Sequence, residues 1–133
     1  DAVVLQACDG LAHAIDRCTV EAEASAQVTE LCRRYTQAMG PIDTLVLGCT
    51  HYVFAQDTLR ALLGPGVALL DTGAPVARQT RRLLETSGQV ATEGGAVRLF
   101  TTGDLPALQA AAARWLQLPA QACADVQLPA SNL

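Results

Sequence analysis

The chain contains no lysine. Its cationic side chains are nine arginines, set against thirteen acids for a formal net charge of -4. A general nucleic-acid surface needs a basic excess, and so does a surface that holds anionic membranes; no partner of either kind is expected. No apolar run approaches the roughly 20 residues of a membrane-spanning helix. Asp1 opens the chain with no basic start ahead of an apolar segment, so no signal peptide is visible. An initiator Met is missing too, which reads as a processed, trimmed or excerpted piece of something longer. There is no CxxC pair. The five cysteines, Cys8, Cys18, Cys32, Cys49 and Cys123, are odd in number and irregular in spacing, which fits neither a disulfide scaffold nor a zinc ribbon. A reducing cytoplasm is the expected compartment.

What remains is a globular composition. Half of the 133 residues are apolar, enough for one compact domain with a core. "AVVLQA" at 2–7 is β-branched and apolar and predicts a buried strand. The turn signal "CDG" follows, and 11–16 suits a short helix. Ala24, Val28, Leu31, Cys32, Tyr35 and Met39 recur at helical spacing and predict an amphipathic helix over 20–39. Thr19 is a candidate cap, Glu21 and Glu23 sit in the first turn, and Gly40-Pro41 is the stop.

A second strand is expected over 42–48, then a helix over 56–63 and a third strand over 67–70. Next come a helix over 75–84 burying Val76, Thr80, Leu83 and Leu84, an edge strand over 97–101, and a helix over 106–118. In that last helix Leu108, Ala112, Trp115 and Leu116 face inward and Asp104 caps. The tail after Pro119 is expected to fray. Strand and helix alternating in this way predict an α/β fold, a parallel sheet with helices on both faces.

One stretch carries chemistry. "TLVLGCTHYV" runs as a strand to Gly48 and then presents Cys49, Thr50 and His51 in succession. Parallel sheets bind ligands at the carboxyl ends of their strands, where the next helix begins. Free N–H groups at a helix start attract carboxylates, and the same field favours a thiolate. Thr50 adds a hydroxyl for a carboxylate oxygen, and His51 a second proton carrier. A tuned thiol serves as a nucleophile or as a general acid or base, and spacing does not separate the two. The plain alternative is a small buried hydrophobe beside a surface histidine. A metal site lacks a further close Cys/His pair. Cys18, Cys32 and Cys123 read as structural. Cys8 also ends a strand, but without the hydroxyl and imidazole.

The stretch "TLVLGCTHY", the helix after it, "LLDTGAPVARQTRRLL" and the earlier "LQAC" together resemble glutamate racemase, of the aspartate/glutamate racemase superfamily. The resemblance runs from about Leu5 to Leu84. It implies a cofactor-independent, metal-free isomerase that interconverts L- and D-glutamate and supplies D-glutamate for bacterial peptidoglycan. Two cysteines act on opposite faces of the substrate, one removing the Cα proton and the other delivering one. The resemblance puts Cys49 in that pair, Thr50 and His51 against the substrate, and Asp16 behind the histidine. It also implies a two-lobed, pseudo-symmetric fold. Residues 1–70 would be part of the second lobe, 71–118 the segment returning to the first, and 119–133 a tail, with Asp71-Thr72-Gly73 structural.

Three departures stand out. Val53 replaces a proline, Asp9-Gly10 replaces a proline and leucine, and the amino-terminal half with the other cysteine is missing. Exposed apolar strand edges and poor stability alone, or pairing with another chain such as a second copy, follow as expectations. The isolated chain is expected to be inactive. The alternatives are a racemase for aspartate or hydantoins, a non-catalytic carboxylate-binding α/β fragment, and a thiol hydrolase.

Overall fold

The computed structural model describes residues 2–18 and 24–128. They fall into two compact units, Asp1–Val90 and Ala91–Leu133.

In the first unit, α1 (Leu11–Arg17) starts from Gly10, whose φ of 79° is a conformation that glycine adopts without strain. Its face Leu11, Ala14 and Ile15 is buried against α2 (Ala24–Met39). From α2 the expected stripe supplies Val28, Cys32 and Tyr35 to this core, with Leu31 and Met39 half-buried. Thr36 is buried too, its hydroxyl bonded to the carbonyls of Cys32 and Arg33. Large apolar side chains buried here contribute roughly 1.5–3 kcal/mol each. The expected cap Thr19 and the acids Glu21 and Glu23 lie outside the described residues.

Strand β1 (Thr44–Val46) pairs in parallel with β2 (Ala68–Leu70) in the register Thr44–Ala68, Leu45–Leu69 and Val46–Leu70. The connection between them runs through a 3₁₀ turn, Tyr52–Ala55, and α3 (Gln56–Leu63). This is a βαβ unit, and it sends both strands towards the same end of the sheet. α4 (Gly73–Thr86) follows β2.

The second unit repeats the arrangement. β3 (Leu99–Thr101) runs parallel to β4 (Cys123–Asp125), with α5 (Leu105–Leu116) between them in sequence. Asp104 caps α5 as expected, its carboxylate accepting from the Ala107 N–H at 3.1 Å. The architecture is therefore α/β, parallel sheets flanked by helices on both sides.

Five expectations need correcting. The 2–7 segment forms no strand, and Val3 and Leu5 are 87% and 93% exposed. Its composition suits a strand, but a strand also needs a neighbour to complete its ladder, and the described residues supply none. Strands β1 and β2 are short and only partly covered, with Val46 and Leu70 exposed. α4 forms at its expected place, yet it buries no residue: Val76, Thr80, Leu83 and Leu84 are all exposed. The stretch after Pro119 carries β4, and Cys123 is buried. Its strand partner β3 is what orders it. In α5, Ala112 is buried and Leu108 and Trp115 half-buried, but Leu116 is exposed.

Candidate active site

Parallel pairing brings the exits of β1 and β2 side by side, and the Leu47 N–H continues the ladder to the Leu70 carbonyl at 2.8 Å. Leu47 is buried and anchors the loop, so Gly48, Cys49 and Thr50 emerge at the carboxyl end of the sheet. The loop then tightens. Tyr52 N–H donates to the Cys49 carbonyl and Phe54 N–H to that of His51. The full α-helix begins only at Gln56. The helix-start donors expected beside Thr50 are thus partly consumed inside the 3₁₀ turn, and the helix field at Cys49 is weaker than the sequence suggests.

Cys49 and His51 are half-buried and Thr50 is exposed. The Cys49 Sγ lies 3.6 Å from His51 Nδ1, a sulfur hydrogen-bond distance. The other ring nitrogen, Nε2, lies 3.4 Å from Asp16 Oδ1 on α1. Three side chains from two parts of the sequence therefore form a line: carboxylate, imidazole, thiol. When Asp16 accepts from Nε2–H, a neutral ring presents the Nδ1 lone pair to the Cys49 thiol. A proton passed from sulfur to Nδ1 gives an imidazolium between a thiolate and a carboxylate. The arrangement can therefore move a proton at sulfur.

A small open cavity of about 120 Å³ adjoins the thiol. Leu47, Cys49, Thr50 and Val53 line one side, and Asp71, Thr72 and Gly73 the other. The resemblance implies a structural part for residues 71–73. Asp71 does have a local task, since its Oδ1 accepts the Gly73 N–H at 2.8 Å. Their place beside Cys49 was nonetheless readable. Any parallel neighbour of the first strand exits at the same end of the sheet, so its following loop faces the same space.

Cys8 is half-buried next to this region, and burial pushes its thiol up, with Tyr52 opposing and Asp9 adding to the rise. Cys18, Cys32 and Cys123 are buried. Among the described residues, no three His, Cys, Asp or Glu side chains are grouped to hold a metal ion, and no helix is long and apolar enough to cross a membrane.

No protein-family model matches the chain. A glutamate racemase of Pseudomonas syringae is 41% identical over 106 residues, covering 78% of this chain and 38% of the relative. One of Herpetosiphon aurantiacus is 42% identical over 106 residues, covering 77% and 41%. Among solved structures, a glutamate racemase from Bacillus anthracis superposes with a TM-score of 0.77 at 29% identity, over 93% of this chain and 46% of that one. Glutamate racemase from Thermus thermophilus, in complex with β-chloro-D-alanine, gives 0.71 at 33% identity, over 92% and 47%. The chain thus spans less than half the length of the relatives it matches. Homology of this extent, with the same α/β fold, places the chain in the aspartate/glutamate racemase superfamily.

Proposed function

We propose that this chain is the carboxy-terminal part of a glutamate racemase, which interconverts L- and D-glutamate without a cofactor. In this reading the protein works in the cytoplasm and supplies D-glutamate for peptidoglycan. Cys49 is one of two thiols that exchange the Cα proton from opposite faces. His51 passes the proton to and from the sulfur, Asp16 orients the ring, and Thr50 binds a substrate carboxylate. The observation that carries the reading is the line from Asp16 through His51 to Cys49, beside an open cavity, in a chain homologous to glutamate racemases.

Racemisation requires proton exchange on both faces of Cα. One thiol on one face removes or returns a proton there and retains configuration; inversion needs a second donor opposite. Residues 1–70 belong in this reading to the second lobe, residues 71–118 to the segment returning to the first, and residues 119–133 to a tail. In this reading the amino-terminal half brings the second cysteine, the 133-residue chain by itself is expected to be inactive, and a second copy of the chain, as a homodimer, is a candidate partner.

The experiment is racemisation of L- and D-glutamate in deuterated water by the full-length protein carrying this segment. Inversion with deuterium incorporated at Cα is expected. Turnover of aspartate or a hydantoin in preference to glutamate would move the substrate within the superfamily. Carboxylate binding with no exchange at Cα would refute catalysis.

A further inference from the structure

The Asp16–His51 contact joins two partly exposed side chains, so its length depends on where α1 sits against the 48–52 loop. α1 is seven residues long and has no side-chain N-cap. What fixes its entry is a pair of phenols on consecutive carbonyls. Tyr35, on α2, donates its hydroxyl to the Asp9 carbonyl at 2.7 Å. Tyr52, the residue after His51, donates to the Cys8 carbonyl at 3.4 Å.

The Cys8 carbonyl also accepts the Leu11 N–H that begins α1, at 3.2 Å. The backbone N–H of Tyr52 bonds the Cys49 carbonyl at 3.1 Å. Tyr52 is therefore a strut, tied at its backbone to the residue bearing the thiol and at its hydroxyl to the entrance of α1. Burial, with the thiols of Cys8 and Cys49 and the Tyr35 phenol nearby, pushes the Tyr52 phenol up. It stays a donor through neutral pH.

We propose that Tyr35 and Tyr52 are positioning residues that clamp the Cys8–Asp9 turn and so hold Asp16 against His51. The proposal rests on the reading of Asp16, His51 and Cys49 as one proton relay. Neither phenol need touch substrate; each acts through α1. The ring of each supplies packing, and only the hydroxyl supplies the clamp. Phenylalanine at either position separates the two.

The test is a double-mutant cycle in the full-length protein. Tyr35→Phe and Tyr52→Phe are each expected to lower kcat about fivefold with KM nearly unchanged, and Asp16→Asn about tenfold. The discriminating result is that either phenylalanine combined with Asp16→Asn lowers kcat no further than Asp16→Asn alone. A purely structural role predicts multiplied losses, which would overturn the proposal, as would wild-type kcat in both phenylalanine variants.

A second measurement does not depend on activity. In the full-length protein, nuclear Overhauser contacts between the His51 ring and the Asp16 side chain are expected to weaken in both variants while amide dispersion is kept. Unchanged contacts would overturn the clamp even if the protein racemises nothing. A protein that fails to racemise glutamate but loses these contacts would defeat only the functional reading.

Discussion

Asp16 Oδ1 lies 3.4 Å from His51 Nε2, and the opposite nitrogen of that ring lies 3.6 Å from Cys49 Sγ. The carboxylate's task follows from this order. In the proposed reading it acts on the ring, and the ring acts on the thiol. Asp16→Asn keeps an acceptor but removes the charge, so kcat for glutamate is expected to fall about tenfold in the full-length protein. Asp16→Ala should fall further. Steady-state kinetics in both directions checks this; an unchanged kcat in Asp16→Ala would take Asp16 out of the relay.

Removal of the thiol itself has a larger consequence. In the proposed reading, Cys49→Ala leaves no group at sulfur's position to take or give the Cα proton. Racemisation is expected to drop by about 10²–10⁴-fold or more in both directions. The equilibrium constant between enantiomers is one, so kcat/KM must fall equally for L- and D-glutamate. Polarimetry from each enantiomer measures it. Retained activity in Cys49→Ala would make the residue a packing cysteine.

Element types were largely legible in the sequence because each depends on local pattern. The stripe of Val28, Cys32 and Tyr35 predicted α2 and its buried face, and Asp104 predicted a cap that the structure contains. Cys49 and His51 were readable as neighbours, two residues apart on a strand exit. What the sequence did not carry was partnership. The 2–7 segment has strand composition but no strand beside it among the described residues. α4 has an apolar stripe but buries none of its residues among the described ones. The part of Asp71–Gly73 in lining the cavity comes from β2 lying beside β1, a tertiary fact. The approach of Asp16 to His51 depends on how α1 packs; residue chemistry and spacing alone do not show it, and only the resemblance, which puts Asp16 behind the histidine, points to it.

The buried thiol of Cys32 should be visible in the pH dependence of stability. Cys32 is fully buried; burial first, and the Cys8 thiol second, push it from 9.0 up to about 11. The folded state therefore holds a proton that the unfolded state has released. This contribution is fully present below pH 9 and is lost as pH rises through 11, a decline of about 3 kcal/mol at most. Cys8 shifts in the same direction. Urea denaturation at intervals from pH 8 to about 11 should show stability falling, and Cys32→Ala should flatten the slope. An unchanged slope in that variant would place the alkaline sensitivity elsewhere.

Backbone conformation at the entrance to α1 gives another handle. Gly10 has φ 79° with open space around its missing Cβ. Gly10→Ala would clash with nothing, so its cost is conformational alone, about 1–2 kcal/mol. Since Gly10 follows the clamped Cys8–Asp9 turn, kcat in the full-length protein should fall as well. Gly10→Asn, which tolerates the left-handed region better, should lose less of both. Chemical denaturation of the three proteins ranks them; an alanine variant as stable as the parent would mean the turn relaxes freely.

Leu83 tests the two-lobe reading of residues 71–118. It is 60% exposed on α4, as is Val76, although the spacing is that of a helix with a face to bury. In the 133-residue chain Leu83→Ala removes little packing and is expected to cost under about 0.5 kcal/mol. In the full-length protein, where α4 is proposed to lie against the lobe missing from this chain, the same change should cost about 2–5 kcal/mol. Urea denaturation of both pairs gives the comparison. A small cost in both would mean that this face stays uncovered, and α4 would then not be a segment returning to another lobe.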